Sequence, residues 1–203
     1  MRMVNYFIKS CLRLYLANVL CSLLVLFISK NLIAMPIEID SGKAKTEFVA
    51  IGRPAMLRVH GEAQGLMSHL SLEHQTLSGE IILKLSEFKT GIETRDEHMK
   101  KKYLEVDKFP EATLIIKDLN LPDFKAGEKR DLNFKADLNL HGQRKNIDVS
   151  GNIEALSDRN YKIHAQSKLK LSDFHIEIPQ YAGITVADLV DFEVLFQTKS
   201  LSQ

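Results

Sequence analysis

The chain has 203 residues, of which 45% are hydrophobic and 26% are charged. This composition is typical of a folded globular protein and excludes a chain that is disordered throughout, because there is enough apolar material for a core. The formal net charge of +1 argues against a nucleic-acid partner, since domains that bind nucleic acid are usually strongly basic. One domain, with or without a targeting segment, is expected at this length.

The first 34 residues differ from the rest of the chain. They contain four of the 27 basic residues and none of the 26 acidic residues, so the remainder carries a net charge of −3. Both cysteines, Cys11 and Cys21, also lie in this first segment. Residues 35–203 therefore have no disulfide, no thiolate nucleophile and no thiolate metal ligand.

The N-terminal segment has the pattern of an export signal. A short basic stretch, residues 1–13, precedes a mostly apolar stretch, residues 14–28, which is shorter than the ~20 residues of a full membrane span. The pattern predicts a signal peptide over residues 1–34, with cleavage after Ala34. An uncleaved membrane anchor stays open as the alternative, because residues 12–37 are long enough to span a bilayer if Lys30 lies at the interface.

From Phe48 onward, hydrophobic residues mostly recur at every second position, which is the pattern of half-buried β-strands. Roughly eight such strands, each with one apolar face, form either a sandwich or a barrel. A turn is expected over residues 142–145. The strands are predicted over residues 57–61, 77–85, 132–140, 147–155, 161–171 and 190–196, with the first of these less regular than the others.

Residues 94–104 interrupt the alternation. Thr94 stands at the position of a helix N-cap, and Glu97 follows three residues later, which is the pattern of a capping box. Acidic residues precede the lysines at 100–102, as the helix dipole favours. We therefore expect a short surface helix over 94–104, with the three lysines facing solvent or contacting anionic lipid headgroups.

Several inward positions of the predicted strands carry small residues. Small inner residues in an eight-stranded barrel leave space for one slender ligand. The alternative is a filled core, in which the small residues accommodate large neighbours such as Phe134 and Phe192, and alternation alone favours this alternative. The small inner residues are Gly79, Ala136, Gly151, Ala155, Ala165 and Ser167.

Four stretches of sequence, in this order, resemble the motifs of the YceI-like family. The first and most specific joins TGIETRDEHM at residues 90–99 to YLEVDKFPEAT at residues 103–113. The second is LNLHGQRK at residues 138–145, which is similar to the hairpin of the family. The last two are SDFHI at residues 172–176 and VADLV at residues 186–190. The resemblance extends from about Phe48 to Thr198.

This resemblance implies a single eight-stranded antiparallel lipocalin-like β-barrel over residues 37–203, exported to the bacterial periplasm. It also implies a long polyisoprenoid ligand of the quinone or prenol type, held without a covalent cofactor. His175 and Ala187 stand where the family usually has glycine, and Gln143, Arg144 and Asn146 also differ from the commonest residues. His175 is expected to narrow or polarise one end of the tunnel.

The inward positions of the predicted strands indicate which side chains line such a barrel. Three further phenylalanines in connecting segments are expected to close its ends. A register error of one residue would turn the side chains of a whole strand outward. The expected lining residues are Phe134, Leu138, Ile163, Leu169, Phe192 and Phe196, and the expected end-closing residues are Phe88, Phe109 and Phe174.

Catalytic and metal sites are not predicted. The seven histidines are scattered without chelating spacing, and His141 and His164 are expected at outward or rim positions. No nucleophile elbow is present. Asp96 and His98 do not face each other on a helix, which argues against acid–base catalysis by this pair.

The leading hypothesis from the sequence is a non-enzymatic periplasmic protein that sequesters or carries an isoprenoid or another long-chain lipid. A membrane surface and a second copy of the chain are further candidate partners. The alternative is a β-barrel interaction module with a filled core, which acts through its loops on a membrane-protein partner. A membrane-anchored protein that faces the periplasm is the alternative for localisation.

Overall fold

The computed structural model describes residues 35–53, 57–157, 160–181 and 184–200. The predicted signal segment, residues 1–34, lies outside the described residues, so cleavage or anchoring of this segment stays a prediction. Among the described residues, no helix combines the length and the apolar character needed to span a membrane.

The described residues form strands connected by turns, with one short α-helix on the chain between the fifth and sixth strands. The strands are β1 (Met35–Ile39), β2 (Lys45–Arg53), β3 (Leu57–Ala63), β4 (Met67–Glu73), β5 (Thr76–Lys84), β6 (Glu111–Asn120), β7 (Lys129–Leu140), β8 (Gln143–Ser157), β9 (Asn160–Lys170), β10 (Gln180–Tyr181) and β11 (Ile184–Ser200). The helix is α1 (Glu93–His98), and short 3₁₀ turns cover Ser41–Lys43, Leu85–Glu87 and Leu171–Phe174.

Eight of these strands close into a ring. Their order around the ring is β1, β4, β5, β6, β7, β8, β9 and β11, and β11 pairs again with β1. Every one of these pairings is antiparallel. The hairpin of β2 and β3 extends the wall, because β2 also pairs with β11. The predicted eight-stranded antiparallel barrel is therefore confirmed.

The predicted surface helix is present, but its predicted N-cap is wrong. The helix begins at Glu93, so Thr94 is already helical, and the N-cap residue Ile92 makes no side-chain cap hydrogen bond. The chain continues from the helix into a wider π-type turn over Met99–Tyr103. The predicted capping box therefore does not form.

A different set of hydrogen bonds holds the start of the helix. Asp96 Oδ1 accepts bonds from the backbone N–H of Thr90 at 2.7 Å and from the Thr90 hydroxyl at 2.5 Å. Arg95 donates from Nε to the same hydroxyl and from Nη2 to the Thr90 carbonyl oxygen, both at 2.7 Å. Arg95 and Asp96, two residues of the helix, thus hold Thr90 in place through their side chains. The helix therefore starts without a cap at Thr94.

The hairpin between β7 and β8 turns tightly at His141 and Gly142. Both residues have positive φ, 50° and 72°, as a two-residue type I′ turn requires. The turn therefore covers residues 141–142 instead of the predicted 142–145, with β8 starting at Gln143. Because the twelve-residue pairing of β7 with β8 has no register shift, inward and outward positions alternate through both strands as the sequence predicts.

Two of the small inner residues are glycines for a reason other than free volume. A Cβ atom at Gly79 would lie 2.1 Å from the carbonyl oxygen of His69, and one at Gly151 would lie 2.0 Å from that of His164. Neither distance is tolerable, so glycine here permits the close approach of the neighbouring strand. The expectation that these positions leave space for a ligand is wrong.

A polar cluster on the outer face of β7 gives the barrel a pH-dependent contribution to stability. Asp137 accepts hydrogen bonds from Lys117 at 2.9 Å, Arg144 at 2.7 Å and Asn146 at 3.0 Å. Hydrogen bonds from Asn146, Lys117 and Arg144 hold the pKa of Asp137 well below its ordinary range. A carboxyl whose folded pKa is depressed stabilises the fold above its unfolded pKa, about 3.9, and this contribution is lost as the pH falls.

We therefore expect Asp137→Asn to flatten the acid dependence of stability. Urea unfolding at pH 7 and at pH 3 measures the loss of folding free energy between the two conditions, and this loss should be smaller in the variant than in the parent. Asp131→Asn, at an exposed residue of the same strand, is the matched control. An equal loss in parent and Asp137→Asn would contradict the assignment.

Candidate functional site

The barrel encloses an apolar cavity of about 690 Å³. This volume falls within the range of about 300–1,000 Å³ that is usual for small-molecule sites. Inward residues of every strand of the ring contribute to the lining, for example Leu70 of β4, Leu114 of β6 and Val194 of β11. A core packed to normal density would contain few voids larger than a water molecule, so the interior is not a filled core.

Eight of the nine residues expected from the sequence line this cavity. The six strand residues do so because the alternation on β7, β9 and β11 holds in the structure. Their contact with a ligand stays a prediction. The eight are Phe134, Leu138, Ile163, Leu169, Phe192, Phe196, Phe88 and Phe174.

Phe109, the ninth residue, lies elsewhere. Its ring packs against the imidazole of His141, with 4.4 Å between the ring centroids. A Cβ atom at Gly142 would lie 2.8 Å from the same ring. Phe109 therefore covers the turn between β7 and β8 instead of closing the cavity.

His141 joins three segments at this end of the barrel. It lies in the turn between β7 and β8 and is only 9% exposed, so this residue is buried instead of facing outward. Its Nδ1 lies 3.0 Å from the carbonyl oxygen of Phe174, and its Nε2 lies 3.1 Å from Glu105 Oε2. Hydrogen bonds from Lys108 and from His141 hold the pKa of Glu105 below its ordinary value. The cluster ties the segment after the helix to two turns and has a structural role.

Polar lining residues are concentrated at the end of the barrel that carries α1, which we name the helix end. The rest of the lining is largely apolar, with exceptions such as Thr46 and Thr198 deeper inside. An apolar chain with one polar end therefore matches this distribution in one orientation, with its polar end at the helix end. The polar lining residues of the helix end are Thr90, Thr94, Arg95, His98 and Gln180.

The cavity opens to solvent at the helix end. Leu57 and Ile92 both line the cavity, and they are 43% and 51% exposed. Thr94, His98 and Gln180 of the same lining are exposed as well. Sequence alternation could not identify this mouth, because Ile92 lies in a connecting segment and Leu57 starts the least regular predicted strand.

The opposite end of the barrel is closed. The loop of residues 121–128 covers it and places Leu121, 5% exposed, in the main core cluster. Phe124 of this loop stacks edge-on against Tyr161 at 5.8 Å, and the Arg130 guanidinium lies 5.6 Å from the Phe124 ring. The cavity is thus a blind tunnel along the barrel axis, with its main mouth at the helix end.

Three lining residues on β2, Thr46, Phe48 and Ala50, are missing from the sequence prediction. Phe48 packs edge-on against Phe88, with 5.3 Å between centroids, and Phe88 in turn packs against Phe192 at 6.2 Å. Thr46 is fully buried, and its hydroxyl has no hydrogen-bond partner among the described residues. Residues 46, 48 and 50 alternate along β2, and this parity is the signal that could have identified them.

His175 does not narrow the tunnel as expected. Its backbone is left-handed, with φ +56° and ψ +26°, and it ends the turn Leu171–Phe174. Its side chain is exposed and is not part of the cavity lining. A left-handed position accounts for glycine at this place in the motif, since glycine adopts positive φ without strain.

The described residues contain no group of three or more His, Cys, Asp or Glu side chains placed to hold a metal ion. Asp96 is engaged with Thr90 through two hydrogen bonds. The chemistry that the cavity itself offers is burial of apolar surface.

Three bacterial proteins are examples of solved structures with a similar fold. A polyisoprenoid-binding domain from Saccharophagus degradans, described as implicated in plant cell wall breakdown, is 18% identical with a TM-score of 0.67, over 82% of this chain and 99% of that one. BcnA of Burkholderia cenocepacia is 14% identical with a TM-score of 0.64, over 78% and 98%. The YceI protein of Campylobacter jejuni is 19% identical with a TM-score of 0.55, over 73% and 88%. At these identities the likeness concerns the fold.

Comparison with curated proteins finds no match. The family model of the YceI-like domain, in contrast, matches residues 38–198, which include the helix and the ring of strands except for the start of β1 and the end of β11. The motifs that resemble this family, the closed barrel and the matched region all agree. The chain therefore belongs to the YceI-like family.

Proposed function

We propose that the protein is a periplasmic, non-enzymatic lipid-binding barrel that sequesters or carries an isoprenoid or another long-chain lipid. The observation that carries this proposal is the apolar cavity of about 690 Å³ that opens at the helix end. Membership of a family that includes a relative described as a polyisoprenoid-binding domain supports the isoprenoid class. The basic and apolar N-terminal segment supports export.

The binding energy comes from burial. Each methylene that leaves water contributes about 0.8 kcal/mol, so a long chain binds tightly in this cavity with few polar contacts. The polar side chains of the mouth, among them Arg95 and Gln180, then contact the polar end of the ligand. The alternative function, an interaction module that acts through its loops, requires a filled core and receives no support from a cavity of this size.

A carrier must also receive its ligand from a bilayer. Leu57 and Ile92 are exposed beside the mouth, and the lysines at 100–102 follow on the same segment as α1. Exposed apolar residues and lysines next to an opening favour contact with an anionic lipid surface. We therefore include a transient contact of the helix end with a membrane in the proposal.

Probe displacement tests lipid binding directly. The chain has no tryptophan, so N-phenyl-1-naphthylamine, which fluoresces in apolar surroundings, can be followed without interference. We expect the full chain to bind about one probe and to release it when geranylgeraniol is added, while 1,6-hexanediol at the same concentration leaves it bound. Absence of probe uptake by a folded, delipidated protein would contradict the proposal.

A further inference from the structure

The wall of the barrel is incomplete between β8 and β9. The backbone pairing of these strands runs from Ser157 and Asn160 to Ser150 and Gln166, and ends there. Beyond that point β8 pairs with β7, and β9 pairs with β11. A side chain makes the next contact, because the Ser167 hydroxyl donates to the Asp148 carbonyl oxygen at 2.8 Å. We name the gap between residues 145–149 and 167–170 the wall slot.

The cavity extends into the wall at this slot. Gln166 and Ser167 are neighbours on one strand, and both line the cavity. Neighbouring strand residues point to opposite faces of a sheet, so a cavity lining that includes both residues extends into the wall beside the slot. The slot is distinct from the mouth at the helix end, which Leu57 and Ile92 border.

A second pocket, of about 660 Å³, covers the slot from outside. Its inner lining is apolar and includes Ile147, Leu169 and Phe174, which also line the main cavity. Its outer lining is charged and includes Lys168 and Asp191, which lie 3.5 Å apart as an ion pair. The polarity of the slot therefore changes from apolar to charged across the thickness of the wall.

Side chains, and not a backbone ladder, close the slot. Phe174 is 2% exposed and packs in a cluster with Leu138, Leu169 and Ile176. Its turn is held by the bond from His141 and by Ser172, which donates to Asp188 from its backbone at 2.8 Å and its hydroxyl at 2.6 Å. Opening the slot needs side-chain rotation and the loss of the Ser167 bond, but no strand separation.

We propose that the wall slot is a second opening of the cavity, through which a single-chain amphiphilic lipid enters and leaves across the barrel wall. Its hydrocarbon chain lies inside the cavity, and its polar end lies among the charged outer residues. This inference rests on the proposed lipid-binding function. An amphiphile fits the slot because it has an apolar chain and a polar end, which match the apolar inner lining and the charged outer lining of the slot.

A cross-link over the slot tests the proposal. In the full chain with Cys11→Ser and Cys21→Ser, Asp148→Cys and Lys168→Cys place two thiols on the outer face of the slot. A short bis-methanethiosulfonate reagent joins them, and reductant removes the link. Glu154→Cys with Lys162→Cys is the matched control, because these residues are paired on the same two strands within the intact ladder.

The readout is the rate at which bound N-phenyl-1-naphthylamine is released into excess lipid vesicles. We expect the slot cross-link to slow release at least tenfold, reductant to restore the rate, and the control cross-link to leave it unchanged. Ser167→Ala, which removes the bond across the slot, should speed release severalfold. Equal release rates with and without the slot cross-link would overturn the second opening while leaving lipid binding intact. Failure of the parent to take up the probe would overturn both.

Discussion

Leu138→Arg is expected to abolish lipid uptake and to lower the free energy of unfolding by about 3–5 kcal/mol, the cost of an uncompensated buried charge. Leu138 is 8% exposed, lines the cavity and packs in a cluster with Leu169 and Phe174. An arginine at this position would lie in apolar surroundings without a partner. Thermal unfolding and probe displacement together measure the two effects.

Asn139→Arg is the matched control, one residue along the same strand. Asn139 lies between Thr113 and Arg144 in the pairing of β7 with its neighbours and points away from the cavity. The added charge opposite Arg144 should cost less than about 1 kcal/mol, with lipid uptake retained. If both variants bound and unfolded like the parent, the inward parity of β7 would be wrong, and the cavity lining with it.

Gly79→Ala is expected to cost about 3 kcal/mol or more, at the upper end of the usual range for single substitutions. The new Cβ would lie 2.1 Å from the backbone oxygen of His69 and 2.9 Å from the Leu70 Cα. Backbone atoms cannot rotate away as a side chain does, so β4 and β5 would have to separate. The residue also has φ +133°, which adds conformational strain.

Gly65→Ala separates this steric effect from the strain of a positive φ. Gly65 has φ +79°, and a Cβ there would meet nothing within 4 Å, so its cost is limited to about 1–2 kcal/mol. Urea unfolding of the two variants should therefore differ clearly in midpoint. Similar midpoints would show that the close approach of β4 to β5 is not the reason why residue 79 has to be glycine.

The barrel and eight of the nine expected lining residues could be predicted because alternation indicates which side chains face inward. On β7, β9 and β11, residues such as Phe134, Ile163 and Phe196 line the cavity as their parity indicates. Alternation ends in connecting segments, which explains the error at Phe109. Phe109 was expected to close one end of the barrel, whereas its ring packs on the tight turn that contains His141 and Gly142.

Three other features depend on contacts that the local sequence does not report. The capping box at Thr94 matched its pattern, but Asp96 bonds to Thr90 and the helix starts earlier. Gly79 and Gly151 looked like small residues around a ligand, but their spacing to neighbouring strands is set by long-range pairing. Hydrophobic alternation in the sequence does not indicate the wall slot, because the inward residues of β8 and β9 continue to alternate after the pairing of these two strands ends.

The proposed function requires that the barrel holds one long apolar chain. Native mass spectrometry of the protein purified from the producing cells, with no lipid added, followed by denaturation and identification of the released molecule, tests this occupancy. We predict one isoprenoid or other long-chain lipid per barrel, lost on denaturation. A protein that carries no lipid as isolated, and that also fails to take up a long-chain quinone or prenol, would contradict the claim.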